Sequence, residues 1–372
     1  MRIFKRFIEK DIVALLFKGK AILLFGPRQA GKTTLAKKII APYGSDGLYL
    51  NCELAHVRNA FILGEPASIK ALIGNKKIVV FDEAQTIMNI GAILKTFLDT
   101  HKDIQIIATG SSSFDLANKI NEPLTGRTFE FTLYPLSVHE ISSDGKCTPQ
   151  EFYELLKTGS YPEVVAQQGD LLKQSILKNI ATNYLYKDIF IFESIKNPLV
   201  FENMIKMLAF QIGNMVSFNE LAQTLGVSRI TVEKYIRLLE QTYIIKRVNS
   251  FSKNGRNELK KAFKIYFIDL GIRNAVIDSL APVEKRKDKG NVFENFVFLE
   301  LLKQGANEPF PPQIFFWRTE TKMEIDFILY KNEEVSAIET KWQKEDVRFN
   351  TFLKYYPEAQ TNIVTTFDFI NK

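Results

Sequence analysis

The stretch Gly26-Pro27-Arg28-Gln29-Ala30-Gly31-Lys32-Thr33 reads G-x-x-x-x-G-K-T without a mismatch. An apolar run, Ala21-Ile22-Leu23-Leu24-Phe25, precedes it, and a helix-like run, Thr34-Leu35-Ala36-Lys37-Lys38-Ile39-Ile40, follows. Strand, glycine-rich loop and helix form the context in which this pattern becomes a phosphate site. The glycines let backbone N–H groups turn inward around a phosphate chain. The helix aims its positive amino end at the same anion. Gly26, Pro27, Arg28, Gln29, Ala30, Gly31, Lys32, Thr33 and Thr34 are therefore the expected nucleotide-binding residues. Lys32 is placed to reach the β- and γ-phosphates, and Thr33 to offer its hydroxyl to Mg²⁺.

Downstream, Ile78-Val79-Val80-Phe81-Asp82-Glu83-Ala84-Gln85 is a second apolar strand, ending in two acids. In a doubly wound sheet the carboxyl end of such a strand lies beside the loop that holds the ligand. Asp82 is expected to hold Mg²⁺ with Thr33, and Glu83 to orient or activate the attacking water. A third strand, Ile104 to Thr109, runs into Gly110-Ser111-Ser112-Ser113. Thr109 or Ser111 is positioned to sense a γ-phosphate, a ligand-free Gly-Ser turn being the other reading. Arg127, at the start of an alternating segment, is a candidate arginine finger in its own subunit or a neighbour's, or a plain strand-edge arginine. No N-K-x-D element follows, so adenine is favoured over guanine and ATP is the expected nucleotide. Strands alternating with helices over short connections predict an α/β fold, a parallel sheet covered on both faces.

Composition bounds the rest. At 372 residues, two or three domains are expected. No apolar run reaches the ~20 residues of a membrane span. The N-terminus lacks the apolar core of a signal peptide. Cys52 and Cys147 make no metal-type pair, and a cytoplasmic location is expected. The net charge of +7 leans towards a polyanionic partner or is a solvated surface. Residues 3–18 read as an amphipathic helix burying Ile3, Phe7, Ile8, Val13 and Leu16.

Residues 150–210 read as several helices, with a corner at Gly159-Ser160-Tyr161-Pro162-Glu163 and a solvated face at Tyr186-Lys187-Asp188. Ser217-Phe218-Asn219-Glu220 reads as a capping box opening a helix. Gly226-Val227-Ser228 turns the chain into a second helix, from Arg229 to Thr242. With the strands 243–248 and 263–268 this predicts a winged helix. Lys246, Arg247, Lys253, Arg256, Lys260, Lys261 and Lys264 face one acid, Glu258, in its hairpin. Such a footprint suits DNA, a packing or protein-contact module being the other reading.

The C-terminal strands carry a second constellation. Side chains alternate along a strand, so Glu339 and Lys341 share a face. A turn on Asn332-Glu333 sets Asp326 opposite Glu339. Glu294, on the preceding helix, adds a carboxylate. The set suits Mg²⁺ or Mn²⁺ with an activated water for phosphodiester cleavage, or a cross-strand ion-pair cluster.

Both constellations in view, the chain resembles the prokaryotic predicted AAA-family ATPases with a C-terminal domain of unknown function. The likeness runs over nearly the whole length. It rests on the P-loop, Phe81-Asp82-Glu83-Ala84-Gln85, Gly110-Ser111-Ser112, Gly126-Arg127, Pro135-Leu136-Ser137, Gly159-Ser160-Tyr161-Pro162-Glu163, Gly290-Asn291-Val292-Phe293-Glu294-Asn295, Glu324-Ile325-Asp326-Phe327 and Glu339-Thr340-Lys341. The resemblance implies ATP binding at the first two motifs, and a winged helix followed by a fold like the PD-(D/E)XK nucleases. Asp326, Glu339 and Lys341 match that nuclease motif. The expected domains are 1–149 (P-loop ATPase), 150–282 (helical, with the winged helix) and 283–372 (small α/β nuclease-like). The expected function is an ATPase that engages DNA and cuts it at a metal-dependent C-terminal site. Its alternative is a nucleotide-switched scaffold contacting protein partners through an inactive C-terminal domain. A ligand-specific kinase is a third reading, since a P-loop alone does not fix the phosphoryl acceptor.

Overall fold

The computed structural model describes residues 2–61, 65–111, 124, 126–142, 144–182, 195, 197–252 and 263–371. They form two compact units, one of residues 3–135 with 241–243, the other of the remaining chain.

The first unit is built on β1 (Ala21–Phe25), the P-loop strand. In chain order its elements are α1 (Ile8–Ala14), β1, α2 (Lys32–Ile40), β2 (Gly47–Asn51), α3 (Ala55–Ala60), α4 (Pro66–Ile73), β3 (Ile78–Asp82), α5 (Ile90–Thr100), β4 (Gln105–Gly110) and β5 (Thr128–Thr132). All five strands are parallel, in the order β2-β3-β4-β1-β5. Every residue of β1, β3 and β4 is buried, as strands covered on both faces require. Alternation divides β1 between two cores. Ala21, Leu23 and Phe25 pack with Val57, Phe61, Ile69 and Leu94 on one face. Ile22 and Leu24 pack with Ile8, Ile12, Leu35 and Ile39 on the other. Because β4 lies between β1 and β3, the P-loop, the Thr109–Ser111 strand end and Asp82-Glu83 stand in one row along the carboxyl edge.

The N-terminal helix is shorter than its sequence suggests, and its buried stripe differs. Ile3, Phe7 and Val13 are exposed; Phe4, Ile8, Ile12 and Leu16 are buried at steps of four. The helix, Ile8–Ala14, turns Ile8 and Ile12 to the sheet, and Phe4 and Leu16 flank it.

The second unit begins with α6 (Val138–Ile141), α7 (Pro149–Thr158), α8 (Pro162–Val165), α9 (Asp170–Thr182) and α10 (Pro198–Phe210). Then come β6 (Met215–Val216), α11 (Phe218–Leu225), α12 (Arg229–Gln241), β7 (Ile245–Val248), β8 (Phe263–Phe267) and α13 (Leu270–Val276). The strands form an antiparallel sheet ordered β6-β8-β7. Ser217 holds the N-cap position of α11, but its side chain makes no cap bond. The expected capping box is therefore absent there; that geometry occurs at Ser137/Glu140 and Thr148/Glu151.

The corner at 159–163 is a structural junction. Asp269 accepts hydrogen bonds from the Ser160 and Ile272 N–H groups at 2.7 and 3.1 Å. Gly159 has φ +75°, and a Cβ there would lie 2.0 Å from Asp269 Oδ1. Lys303 ties the junction down through Ser160 Oγ (3.2 Å) and Leu136 O (2.8 Å). Tyr186-Lys187-Asp188 lies outside the described residues.

The chain ends with α14 (Lys289–Gly305), β9 (Gln313–Arg318), β10 (Glu324–Lys331), β11 (Glu334–Lys341), α15 (Asn350–Tyr355) and β12 (Gln360–Thr365). Their sheet runs β12-β11-β10-β9, antiparallel except for the β11–β12 pair. Among the described residues no helix is long and apolar enough to cross a membrane.

Gly26 yields a test. Its φ is +143°, and an added Cβ would meet Leu133 O at 2.1 Å, because the chain leaving β5 is bonded to Phe25 O through Leu133 N. Gly26→Ala is expected to cost about 3 kcal/mol in urea unfolding of the full chain. Gly19, with φ +74° but nothing within 4 Å, isolates the backbone term. Gly19→Ala is expected to cost about 1 kcal/mol. Equal losses would mean that the Leu133 approach does not constrain the loop.

Candidate nucleotide site and the C-terminal carboxylate cluster

Asp82 is the centre of the first site. It is buried at the end of β3 and collects three hydroxyls from three other elements. Thr33 Oγ1 donates to Oδ2 at 2.8 Å and lies 3.1 Å from Oδ1. The Tyr49 hydroxyl, from β2, donates to Oδ2 at 2.6 Å. Thr109 Oγ1, from β4, donates to Oδ1 at 2.5 Å and accepts from the Glu83 N–H at 3.1 Å. Burial, then Asp82, raises the Tyr49 phenol well above its usual range, so it stays a donor.

Lys32 Nζ donates to the carbonyls of Gly26 and Pro27 at 2.9 and 2.8 Å. Burial lowers its amine to about 8, against the pull of Glu83 and Asp82. Gly31 caps α2 with φ +98°, which turns the loop into the helix. Gln29 and Thr34 are exposed, Arg28 is half-buried and Ala30 is buried. Arg6 supports the loop from beneath: its guanidinium donates to Ala30 O at 2.8 Å and Tyr134 O at 2.6 Å, with 7% exposure.

Glu83 leaves the strand in a left-handed conformation, φ 53° and ψ 45°, uncommon for a non-glycine residue. Its Oε2 accepts from Gln85 Nε2, which also donates to Ser111 Oγ at 3.2 Å. Thus Lys32, Thr33, Asp82, Glu83 and Ser111 meet along one edge. Thr33 and Asp82 supply hard oxygen donors on a shared side, which fits Mg²⁺, an ion that keeps waters and phosphate oxygens as its other ligands.

Arg127 is not brought to this site within its own chain. Its carbonyl accepts from Ala21 N at 3.0 Å, so it stands at the amino edge of the sheet, opposite the P-loop. Its guanidinium pairs with Asp99 at 2.9 Å.

In the C-terminal sheet, Asn332 and Glu333 carry φ of 52° and 69° and make the turn. The ladder from Lys331–Glu334 to Phe327–Ile338 carries Asp326 opposite Glu339. Asp326 N–H donates to Glu339 Oε2 at 3.4 Å. Asp326 Oδ2 accepts from the Thr340 N–H (2.8 Å) and hydroxyl (2.7 Å), and Lys341 Nζ donates to Glu339 Oε1 at 3.1 Å. Burial and then Asp326 push the Glu339 carboxyl up.

The carboxylates are nonetheless not gathered as a metal cage. Among the described residues no group of three or more His, Cys, Asp or Glu side chains is placed to hold a metal ion. An internal cation sits there instead. Lys264, on β8 and 1% exposed, places Nζ 2.6 Å from Glu324, 2.9 Å from Glu294 and 3.9 Å from Asp326. The Tyr266 hydroxyl donates to the same Glu294 oxygen at 2.6 Å. Burial works against the Lys264 charge, but Glu294, Asp326 and Glu324 outweigh it and hold the amine charged. Burial and then Asp326 push Glu294 up to about 7, against Lys264.

Lys264 therefore leaves the basic footprint expected of the β7–β8 hairpin. Arg247 pairs with Glu240 at 2.7 Å, Lys246 is exposed, and Lys253, Arg256, Lys260 and Lys261 lie outside the described residues. Sequence reasoning missed Arg6, Tyr49, Gln85 and Lys264 as site residues. Each is a polar side chain in an apolar or motif segment, and its long-range partner, Tyr134, Asp82, Ser111 and Glu294 respectively, is set by the fold.

Residues 18–142 match the model of an AAA domain, and residues 149–282 and 289–367 match two domains of unknown function, DUF8612 and DUF4143. An uncharacterized protein of Methanocaldococcus jannaschii, MJ1544, is 26% identical over 95% of this chain and 81% of its own. An uncharacterized protein of Haemophilus influenzae is 26% identical over 86% of this chain and 82% of its own. Among solved structures, the Walker-type ATPase PABY2304 of Pyrococcus abyssi shares the fold: TM-score 0.53 at 15% identity, over 74% of this chain and 96% of that one. Fold and AAA-domain match together support a P-loop ATPase of AAA type.

The Lys264 cluster carries its own test. Lys264→Met strands buried carboxylates without their counter-charge, and a loss of about 3–5 kcal/mol is expected. The sign with pH follows from Glu294. Its folded pKa, about 7, lies above the ordinary glutamate value of 4.5, so its contribution is greatest at acid pH and is lost as pH rises from 4.5 through 7. Without the ammonium that window extends upward. Urea unfolding should show a smaller Lys264→Met deficit at pH 5 than at pH 8; equal deficits would mean that the ion pairs do not carry the loss.

Proposed function

We propose that this chain is a Mg²⁺-dependent ATPase that engages duplex DNA through the winged-helix-like module formed by α11, α12, β7 and β8. The observation that carries the ATPase is the convergence of Thr33, Asp82 and Glu83 on the carboxyl edge beside Lys32. Lys32 neutralises phosphate charge in a buried loop. Thr33 and Asp82 would hold Mg²⁺, which when bound neutralises charge on the β- and γ-phosphates. Glu83 takes the proton of the attacking water, and Ser111, on the neighbouring strand end, marks whether a γ-phosphate is present. Support for DNA is narrower: exposed Arg237 on α12 and Lys246 on β7, Arg229 being exposed but paired with Glu233 at 2.6 Å.

One observation favours the scaffold alternative for the C-terminal domain. The ammonium of Lys264 among Glu294, Glu324 and Asp326 supplies the positive charge that a cleavage metal would bring. We infer a packing role for this cluster in place of Mg²⁺- or Mn²⁺-dependent cutting, with a protein partner as the second reading of what the module contacts.

ATP turnover of the full chain, measured with and without duplex DNA, tests the proposal. Lys32→Ala should abolish nucleotide binding. Glu83→Gln should keep binding and lower turnover about 100-fold or more, the loss of a general base. Normal turnover in both would remove the ATPase. DNA should raise turnover, and its binding should weaken with salt at a log–log slope of roughly −0.9 per phosphate contacted. No response to DNA and no affinity for it would leave the scaffold reading. Mn²⁺-dependent cleavage lost in Asp326→Ala would overturn the packing role.

A further inference from the structure

Gln85 lies two residues beyond Glu83 and is only 5% exposed. Its Nε2 donates to Glu83 Oε2 and to Ser111 Oγ at 3.2 Å. Its Oε1 is buried and has no hydrogen-bond partner among the described residues. An unmatched buried carbonyl costs about 1–3 kcal/mol, so this atom is out of place in a merely structural amide. Flipping the amide does not remove the difficulty. It would turn the carbonyl onto the Glu83 carboxylate and replace an attraction with a repulsion.

A water held by Glu83 gives that carboxylate one O–H and has a second that needs an acceptor. Gln85 Oε1 belongs to the same amide that grips Glu83, so it lies within reach of such a water. We propose that Gln85 positions the hydrolytic water, its Oε1 accepting the second O–H while its Nε2 holds the Glu83 carboxylate and Ser111 in line. This rests on the ATPase reading above.

The step balances as follows. The water oxygen bonds to the γ-phosphorus while the bond from that phosphorus to the β,γ-bridging oxygen breaks. The bond's electron pair leaves with ADP. One water proton passes to Glu83, and the other remains on the new phosphate, hydrogen-bonded to Gln85. Gln85 itself gains and loses no proton. Through Nε2, the strand end that meets the γ-phosphate and the base that activates water are joined by one side chain.

Full-length protein with Mg²⁺ and ATP tests this. Gln85→Met keeps the length of the side chain but removes both amide groups. It should lower kcat about tenfold or more, with KM and the affinity for a fluorescent ATP analogue within about threefold of wild type. In the Glu83→Gln background the same change should cost less than threefold, because the water is no longer activated there. Should Gln85→Met fail to fold, Gln85→Glu is read instead: it keeps an acceptor but loses the donor to Glu83, and kcat should again fall with affinity retained. An unchanged kcat, a loss confined to KM, or the full loss persisting in the Glu83→Gln background would overturn the assignment. Wild-type protein that binds ATP without turning it over would instead fail the ATPase reading, and Gln85 with it.

Discussion

The first unit depends on one buried carboxylate. Asp82 is removed from water at the end of β3, and such a group is tolerable only when hydrogen bonds replace its hydration. Hydroxyls of Thr33, Tyr49 and Thr109 do this. Each comes from a different element: the start of α2, β2 and β4. The same three bonds therefore fix the register of the loop helix against three strand ends. Thr33 has a double part here, since the hydroxyl that satisfies Asp82 is the one a P-loop threonine turns to Mg²⁺. Because β4 lies between β1 and β3, Thr109 can touch Asp82 with its side chain and receive the Glu83 N–H. Strand order, more than any one residue, makes this a site.

How much was legible beforehand follows the range of the interaction concerned. The P-loop and the Asp82-Glu83 strand end are local patterns, and their elements stand where the pattern puts them. The β10–β11 register was legible for the same reason: Asn332-Glu333 makes a turn of two positive-φ residues, and a two-residue turn leaves one register. Tyr49, Arg6 and Lys264 were not legible, because their partners lie 24 or more residues away in sequence. The N-terminal stripe shows a subtler failure. Phe4, Ile8, Ile12 and Leu16 stand four apart in the sequence, yet Ile3, Phe7 and Val13 made a competing row that only the helix start decides.

Counting charge in the β7–β8 hairpin misled for a related reason. A sum of lysines takes each as facing water, but β-strand neighbours alternate faces. On β8, Lys264 points inward to Glu294 and Glu324. Arg247, on β7, is held by Glu240. Among the described residues of this module, the exposed basic side chains lie on α12 and at Lys246 of β7.

The two acidic centres of the chain are provided for in opposite ways. Around Asp82 the partners are neutral hydroxyls, and the nearby Lys32 ammonium is bonded to loop carbonyls. The negative charge there is hydrated in effect but not cancelled, and its field remains available to a divalent cation. Around Glu294, Glu324 and Asp326 the chain brings its own ammonium, held charged by those carboxylates against the cost of burial. A charge-compensated cluster of this kind holds β8 to α14 and β10. Binding a divalent ion there would set it against an ammonium within 3 Å of two of its ligands. Like charges that close repel strongly in a medium of low dielectric constant. The geometry of the hairpin can therefore match a nuclease motif, Asp326 opposite Glu339 with Lys341 beside it, while its electrostatics serve packing.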